Sequence, residues 1–324
     1  ANTGIRVISL GSHFYDQLAD PITALDLFET TCSTSPHSRE LHLQVLREDL
    51  EQNNSHPPTN NLVEYYDSKT VITGSPMFDQ IPLVDRETAR TKYGIPTNRR
   101  VVLFFAPFLN VGDYWRELVA STTPLRSRLY KAIRARKLQY IPSILLGDTI
   151  AEIAASIRRF CDRENAVLVV KSRGKQTGLE TVESAADIFV DGTDDVYYPT
   201  FTGYELMATA DLCIQTYSYS AVEAVIAALP TVCITTPRDY PLSQRDWRHT
   251  MAGELQFNND SGGLFNYPGC VNSVEWSQAV RYFDQAKLED FTINTDKRAE
   301  YISKFAGLGK ESSSSKVLKV IHGS

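Results

Sequence analysis

The chain has 324 residues, of which 42% are hydrophobic and 22% charged, and its formal net charge is −6. That length and apolar content support one large or two modest cores. The acidic balance excludes a global cationic field for nucleic acid, and no run is long and apolar enough to span a bilayer. Cys32, Cys161, Cys213, Cys233 and Cys270 show neither paired spacing nor a metal-ligand pattern. They read as thiols of a reducing compartment, which points to the cytoplasm. No metal site is expected, and Asp191, Asp194 and Asp195 read as a turn.

In chain order, residues 5–10 read as a short strand with no signal-peptide pattern around it. His13 follows. Histidine titrates nearest neutrality, so His13 is the candidate base toward a hydroxyl acceptor, although a lone loop histidine also serves structurally. Ser35-Pro36 opens a helix running to residue 50. Residues 53–61, polar and carrying Pro57-Pro58, read as a linker.

From residue 70 onward, strand and helix alternate. Residues 70–73 form a strand closed by Gly74-Ser75-Pro76, and residues 85–93 a helix stopped by Gly94. Residues 101–106 are continuously apolar, as in a parallel strand covered on both faces. A helix at 149–162 and a strand at 167–170 follow, and residues 185–190 complete a strand or short helix. Then come a helix at 205–210, a strand at 212–215, a helix at 221–229 and a strand at 231–235. Residues 274–288 and 296–305 read as helices, residues 307–315 as a turn and residues 317–321 as a last apolar run. This alternation predicts a doubly wound α/β domain with a mostly parallel sheet, whose ligand sits beyond the C-terminal strand ends.

The most informative passage is the strand ending at Gln215, its hydroxyl-rich turn and the small-residue helix that follows. Ser220 and Glu223 have the S-x-x-E spacing of a capping box, as do Thr202 and Glu205. Tyr217, Ser218 and Ser220 surround the first helical N–H groups, where a phosphate would gain hydrogen bonds and a favourable dipole. A plain, well-capped helix carries the same letters. Glu223 either closes the cap or accepts ribose hydroxyls. Lys171 and Arg173, just past a buried strand, can neutralise a diphosphate, and a solvated turn is the alternative. Tyr198 or Phe201 can stack on a base or pack in the core, and core is the nearer reading for Phe201.

Residues 109–143 read as an insertion. Within it Arg126, Arg128, Lys131, Arg134, Arg136 and Lys137 interleave with Leu125, Leu129, Ile133 and Leu138 at roughly helical spacing. Such a segment suits an anionic membrane, an anionic glycan or a partner domain, or it packs on its own protein.

Asp211 with Ser218, Ser220, Glu223, Ala224 and Pro230 resembles the donor-site signature of GT-B glycosyltransferases, with Ala228-Leu229-Pro230 where that signature has Gly-x-Pro. Residues 71–79 are similar to the strand-Gly-x-Pro-x-x-Asp passage that enters the C-terminal domain of such enzymes, and Tyr93-Gly-Ile-Pro96 to the turn that follows. Lys171 matches the lysine of a Lys-x-His-Pro motif in which Arg173 and Gly174 replace His-Pro. His13 stands where a His-Gly motif is expected, with Phe14 replacing the glycine. The branch most similar comprises CDP-glycerol glycerophosphotransferases, capsule Kdo transferases and related UDP-N-acetylglucosamine 2-epimerases.

The resemblance implies a GT-B-like, Rossmann-type C-terminal domain over residues 70–324. Residues 1–69 would be a truncated, acceptor-side α/β portion and linker. It implies transfer of a sugar or alditol phosphate from a CMP-, CDP- or UDP-linked donor, with no tightly bound cofactor. The acceptor would be an anionic glycan or lipid-linked hydroxyl in cell-surface polysaccharide synthesis; separately, the charge of residues 125–138 makes them the candidate point of contact with the inner membrane face. The alternatives are a nucleotide-sugar 2-epimerase and a non-catalytic nucleotide-sugar-binding domain. A complete enzyme of this type has a second Rossmann-like domain of about 150 residues or more. The chain therefore reads as part of a longer polypeptide or as one with a reduced N-terminal domain.

Overall fold

The computed structural model describes residues 8–10, 29–52, 59–106, 129–130, 133–134, 150–172, 180–191, 201–216, 218–235 and 260–323. Along the chain lie β1 (Ile8–Leu10), β2 (Thr30–Ser33), α1 (Pro36–Gln52), α2 (Thr59–Lys69), β3 (Thr70–Ile72), α3 (Arg86–Lys92) and β4 (Arg100–Phe105). Then come α4 (Ile150–Arg163), β5 (Ala166–Lys171), α5 (Glu180–Glu183), β6 (Ile188–Val190), α6 (Thr202–Thr209), β7 (Leu212–Gln215) and α7 (Ser220–Ile226). The chain closes with β8 (Thr231–Thr235), β9 (Val271–Glu275), α8 (Ala279–Gln285), α9 (Thr295–Ala306) and α10 (Ser313–His322). All these strands pair in parallel, in two sheets. This is the α/β, Rossmann-like architecture expected from the sequence and is consistent with a GT-B fold.

The chain divides into two compact units, one drawn from residues 1–83 and 295–324, the other from 84–244 and 259–294. The boundary thus falls at 83/84 rather than at 69/70, and the C-terminal helices belong to the first unit. In that unit the sheet order is β1-β2-β3. Ser35 Oγ accepts the Ser38 amide at 2.9 Å and caps α1, with Pro36 in the first turn. The described part of the expected linker, from Thr59, is the start of α2. Its Leu62, Val63 and Tyr66 pack on Leu43 and Leu46 of α1, too few apolar positions to show a helical period.

The Gly74–Asp79 passage also has its role in this unit. Gly74 has φ +77°, and a Cβ there would come within 2.2 Å of Ser313 Oγ. Asp79 accepts the Ser313 and Ser314 amides at 3.0 and 2.8 Å and the Ser314 hydroxyl at 2.7 Å. A carboxylate on the first amides of α10 both caps the helix and complements its dipole. The motif read as a domain entrance is therefore a seat for the last helix. The run at 317–321 is the body of that helix.

The second sheet has the order β6-β5-β4-β7-β8-β9. The chain starts in the middle with β4, moves outward through β5 and β6, and resumes on the other side with β7, β8 and β9. Its direction reverses between β4 and β7, the topological switch point of a Rossmann-type sheet. Val102, Phe104, Leu168, Val170, Leu212, Ile214, Val232 and Ile234 face one core with α4 and α8, where Phe160, Phe283 and Phe291 cluster. The alternate residues line the opposite face, which α6 and α7 cover.

At the N-terminal edge, Asp211 accepts the Val101 amide at 2.7 Å and Arg86 at 2.9 Å. The buried Arg90 donates to the carbonyls of Pro96, Thr97, Arg99 and Thr209. Asp211, part of the resembled donor signature, is thus a clamp at the sheet edge opposite Ser218 and Ser220.

Two assignments change. Residues 274–288 are not one helix: β9 precedes a 3-10 turn at Trp276–Gln278 and then α8. As an edge strand, β9 carries only Val271 and Val274 as apolar residues, so no alternation announces it. The other is α7, which ends at Ile226 rather than 229 because Ala228 turns left-handed, with φ +58°. Leu229 and Ala228 amides return to the Ala224 and Val225 carbonyls at 2.9 and 3.1 Å, a Schellman-type stop where glycine is usual.

Ala228 is exposed, so Ala228→Gly removes little packing while relieving the left-handed strain. It should raise stability of this unit by about 0.5–1 kcal/mol in urea unfolding. An unchanged or lowered midpoint would contradict the strain. In the first unit, burial, with Lys304 adding to it, pushes His37 down to about 4 from 6.5. Between those values the unfolded chain binds a proton that the folded one does not, so this contribution is intact above pH 6.5 and is lost as pH falls toward 4. It is worth at most about 3 kcal/mol. His37→Gln should flatten that part of the stability–pH profile, and an unaltered slope would exclude His37 as its source.

Candidate functional site

The C-terminal edge of the second sheet gathers the polar ends of buried strands. Phe105 pairs with Lys171, Phe104 with Ile214, and Gln215 with Cys233. Lys171, Phe105, Gln215 and Cys233 therefore share one level and one face across four adjacent strands. Lys171 and Gln215 are two strand spacings apart, about 10 Å.

Lys171 ends a strand whose every residue is buried, and is itself 9% exposed. Its Nζ donates to the Ser172 carbonyl at 3.3 Å. Lysine is among the residues least often buried, because its charge is costly to desolvate.

Gln215 ends the otherwise apolar strand β7 and is fully buried. Its Oε1 accepts the Ser218 amide at 2.6 Å, and its Nε2 has no hydrogen-bond partner. Sequence reading passed over this residue. The signal was an amide at the end of an apolar strand.

The turn that follows differs from expectation. Ser218 Oγ accepts the Ser220 amide at 3.3 Å, and the Ala221 and Val222 amides return to the Ser218 and Tyr219 carbonyls at 3.1 and 2.9 Å. The amides of Ser218, Ser220, Ala221 and Val222 are thus taken within the chain, so they are not waiting for a phosphate. Nor is the capping box formed. Tyr219 is the N-cap, with φ −61° and ψ −14°, and no side chain caps the helix. Ser220 lies one residue inside α7, whereas a box needs its hydroxyl on the non-helical cap residue. The Ser220 side chain is buried, and its Oγ has no partner.

Glu223 instead accepts the Tyr204 hydroxyl at 3.3 Å, tying α7 to α6. The Thr202–Glu205 box fails for the same reason. Phe201 is the N-cap, and Glu205 binds Lys92 at 2.6 Å and the Tyr93 hydroxyl at 2.5 Å. Phe201, expected in the core, is 37% exposed.

Burial, with Cys233 and Glu223 nearby, pushes the Cys213 thiol far up, and burial raises Cys161 to about 12. Both stay protonated at neutral pH and are poor nucleophiles there. Among the described residues no group of three or more His, Cys, Asp or Glu is placed to hold a metal ion, and no helix is long and apolar enough to cross a membrane.

Of the expected site residues, the structure brings Lys171, Ser218, Ser220 and Glu223 to this edge and its turn. His13, Arg173, Tyr198 and Tyr217 lie outside the described residues. So does most of 125–138, of which residues 129–130 and 133–134 are helical, with Tyr130 and Ile133 exposed.

A buried hydroxyl without a partner costs stability, whereas a cap contributes it. Ser220→Ala should therefore leave the unfolding midpoint unchanged or higher. A loss of about 1 kcal/mol, typical of a removed cap, would show that Ser220 serves the helix.

No protein-family model and no curated protein sequence matches the chain. Among solved structures it is similar to the wall teichoic acid polymerase TagF, at 12% identity and a TM-score of 0.47 over 100% of this chain and 64% of that one. It is also similar to S. aureus MnaA in a structure with UDP, at 13% identity and a TM-score of 0.45 over 98% and 74% of the two chains. A third is Anabaena HepE in complex with UDP and glucose, at 11% identity and a TM-score of 0.38 over 98% and 71%. The chain spans between 58% and 64% of the length of the TagF chains it matches. The likeness is one of fold alone.

Proposed function

We propose that the C-terminal edge of the second sheet binds the phosphates of a nucleotide-activated donor. The protein, alone or as part of a longer polypeptide, would transfer the donor's sugar or alditol phosphate to a hydroxyl acceptor in cell-surface polysaccharide synthesis. The observation that carries this reading is a buried lysine at the switch-point edge together with the unpartnered, buried hydroxyl of Ser220. An anionic oxygen would give the Ser220 hydroxyl the acceptor it lacks, at the sheet edge where the Lys171 ammonium is buried.

In this reading Lys171 neutralises the phosphate oxygen on which the leaving nucleotide takes up its electron pair. Ser218 and Ser220 hydroxyls orient that phosphate. The Glu223 carboxylate, held by Tyr204, accepts ribose hydroxyls. Arg173 assists Lys171, Tyr217 adds a hydroxyl, Tyr198 stacks on the base, and His13 takes the acceptor's proton. The basic segment 125–138 meets an anionic glycan or membrane-borne acceptor.

Calorimetric titration with CMP, CDP, UDP and GDP compounds tests the reading. At least one should bind the wild-type protein. Lys171→Met and Ser220→Ala should each weaken it by about tenfold or more, the equivalent of one charge-assisted hydrogen bond. Glu223→Gln should narrow the preference for ribo over deoxyribo forms. No binding by the wild type, or wild-type affinity in both the Lys171 and Ser220 variants, would remove the proposal.

A further inference from the structure

We infer that Gln215 is a ligand-contacting residue of this site, its Nε2 donating a hydrogen bond to an acceptor oxygen of the bound donor. The inference rests on the nucleotide-binding reading above and adds a residue to it. The Ser218 amide is a donor, so the side-chain atom facing it at 2.6 Å must be the carbonyl oxygen. That fixes the orientation of the amide. Nε2, with two N–H donors, is thereby turned away from Ser218, buried and without a partner.

The setting gives those donors a use. Leu212, Cys213 and Ile214 complete β7, all fully buried, and an apolar residue would fill the fourth position without the cost of desolvating an amide. Gln215 shares its level and face with Lys171, so one anionic group between β5 and β7 can meet the ammonium and the amide together. Gln215 also touches the turn carrying Ser218 and Ser220, both in the proposed site. An oxygen seated against that half-exposed turn comes within reach of Nε2. Gln215 thus does two things: its oxygen shapes the turn, and its nitrogen faces the ligand.

Two variants separate these roles. Gln215→Glu keeps an oxygen for the Ser218 amide and removes the donors. Gln215→Met keeps the approximate volume and removes both. The experiment titrates wild type and both variants with whichever of CDP, UDP or GDP binds the wild type, and records thermal unfolding of each without ligand. The expected result is a loss of about tenfold or more in both variants, with unfolding midpoints near wild type. Weak binding by Gln215→Met with retained binding by Gln215→Glu would mean that the residue acts only through Ser218, overturning the contact. Weak binding by Gln215→Glu alone would reduce the effect to charge repulsion and overturn it equally. Wild-type affinity in both variants would overturn it outright while leaving the nucleotide site standing, whereas no binding by the wild type would remove both.

Discussion

Because β4 to β9 pair in parallel, all six strands end at one edge of the sheet, and the chain must leave the sheet there. The inner strands β4, β5, β7 and β8 are apolar between their ends, since both faces are covered, so their polar residues fall at the first and last positions and in the turns beyond. Lys171, Gln215 and Ser220 are polar groups tolerated at that boundary. The opposite edge is closed by Asp211, Arg86 and Arg90, whose hydrogen bonds are made within the protein. At that edge the two terminal nitrogens of Arg90 are bonded and its buried Nε is not, while the C-terminal edge holds a buried donor amide and a buried hydroxyl with no partner among the described residues.

The turn after β7 is built differently from a phosphate-binding helix terminus. Side-chain oxygens of Gln215 and Ser218 already hold the Ser218 and Ser220 amides, and α7 spans only seven residues. A short helix with its first amides occupied has little backbone left to offer an anion. In the proposed site, recognition would therefore fall to side chains, a lysine, hydroxyls and an amide. Ala228 fits the same economy of space, since its left-handed turn lets Leu229 and Pro230 lead at once into β8.

Much of the fold was legible in the sequence. β7 and β8 were placed to the residue, and β4, β5 and α4 to within about one residue, because buried parallel strands and an amphipathic helix leave unmistakable periods. What was not legible depended on contacts distant in sequence. The unit boundary was hidden because Asp79 and Gly74 act on Ser313 and Ser314, more than two hundred residues away. Strand β9 was hidden by its edge position and α2 by its sparse apolar face. Both capping boxes were misread because spacing alone does not say which residue occupies the non-helical cap. Lys171, Ser218, Ser220 and Glu223 are candidates that hydroxyls and charge beside strand ends single out in the sequence. Gln215 shows in the sequence only as an amide ending an apolar strand, and its missing partner appears only in the fold.

A crystal structure with a bound nucleoside diphosphate tests most directly whether the C-terminal edge of the second sheet holds the phosphates of a nucleotide donor. Phosphate oxygens should then lie within hydrogen-bond distance of Lys171 Nζ and Ser220 Oγ, at the end of β5 and in the turn after β7. A nucleotide bound at the Asp211 edge, or on the first unit with Lys171 and Ser220 untouched, would contradict it.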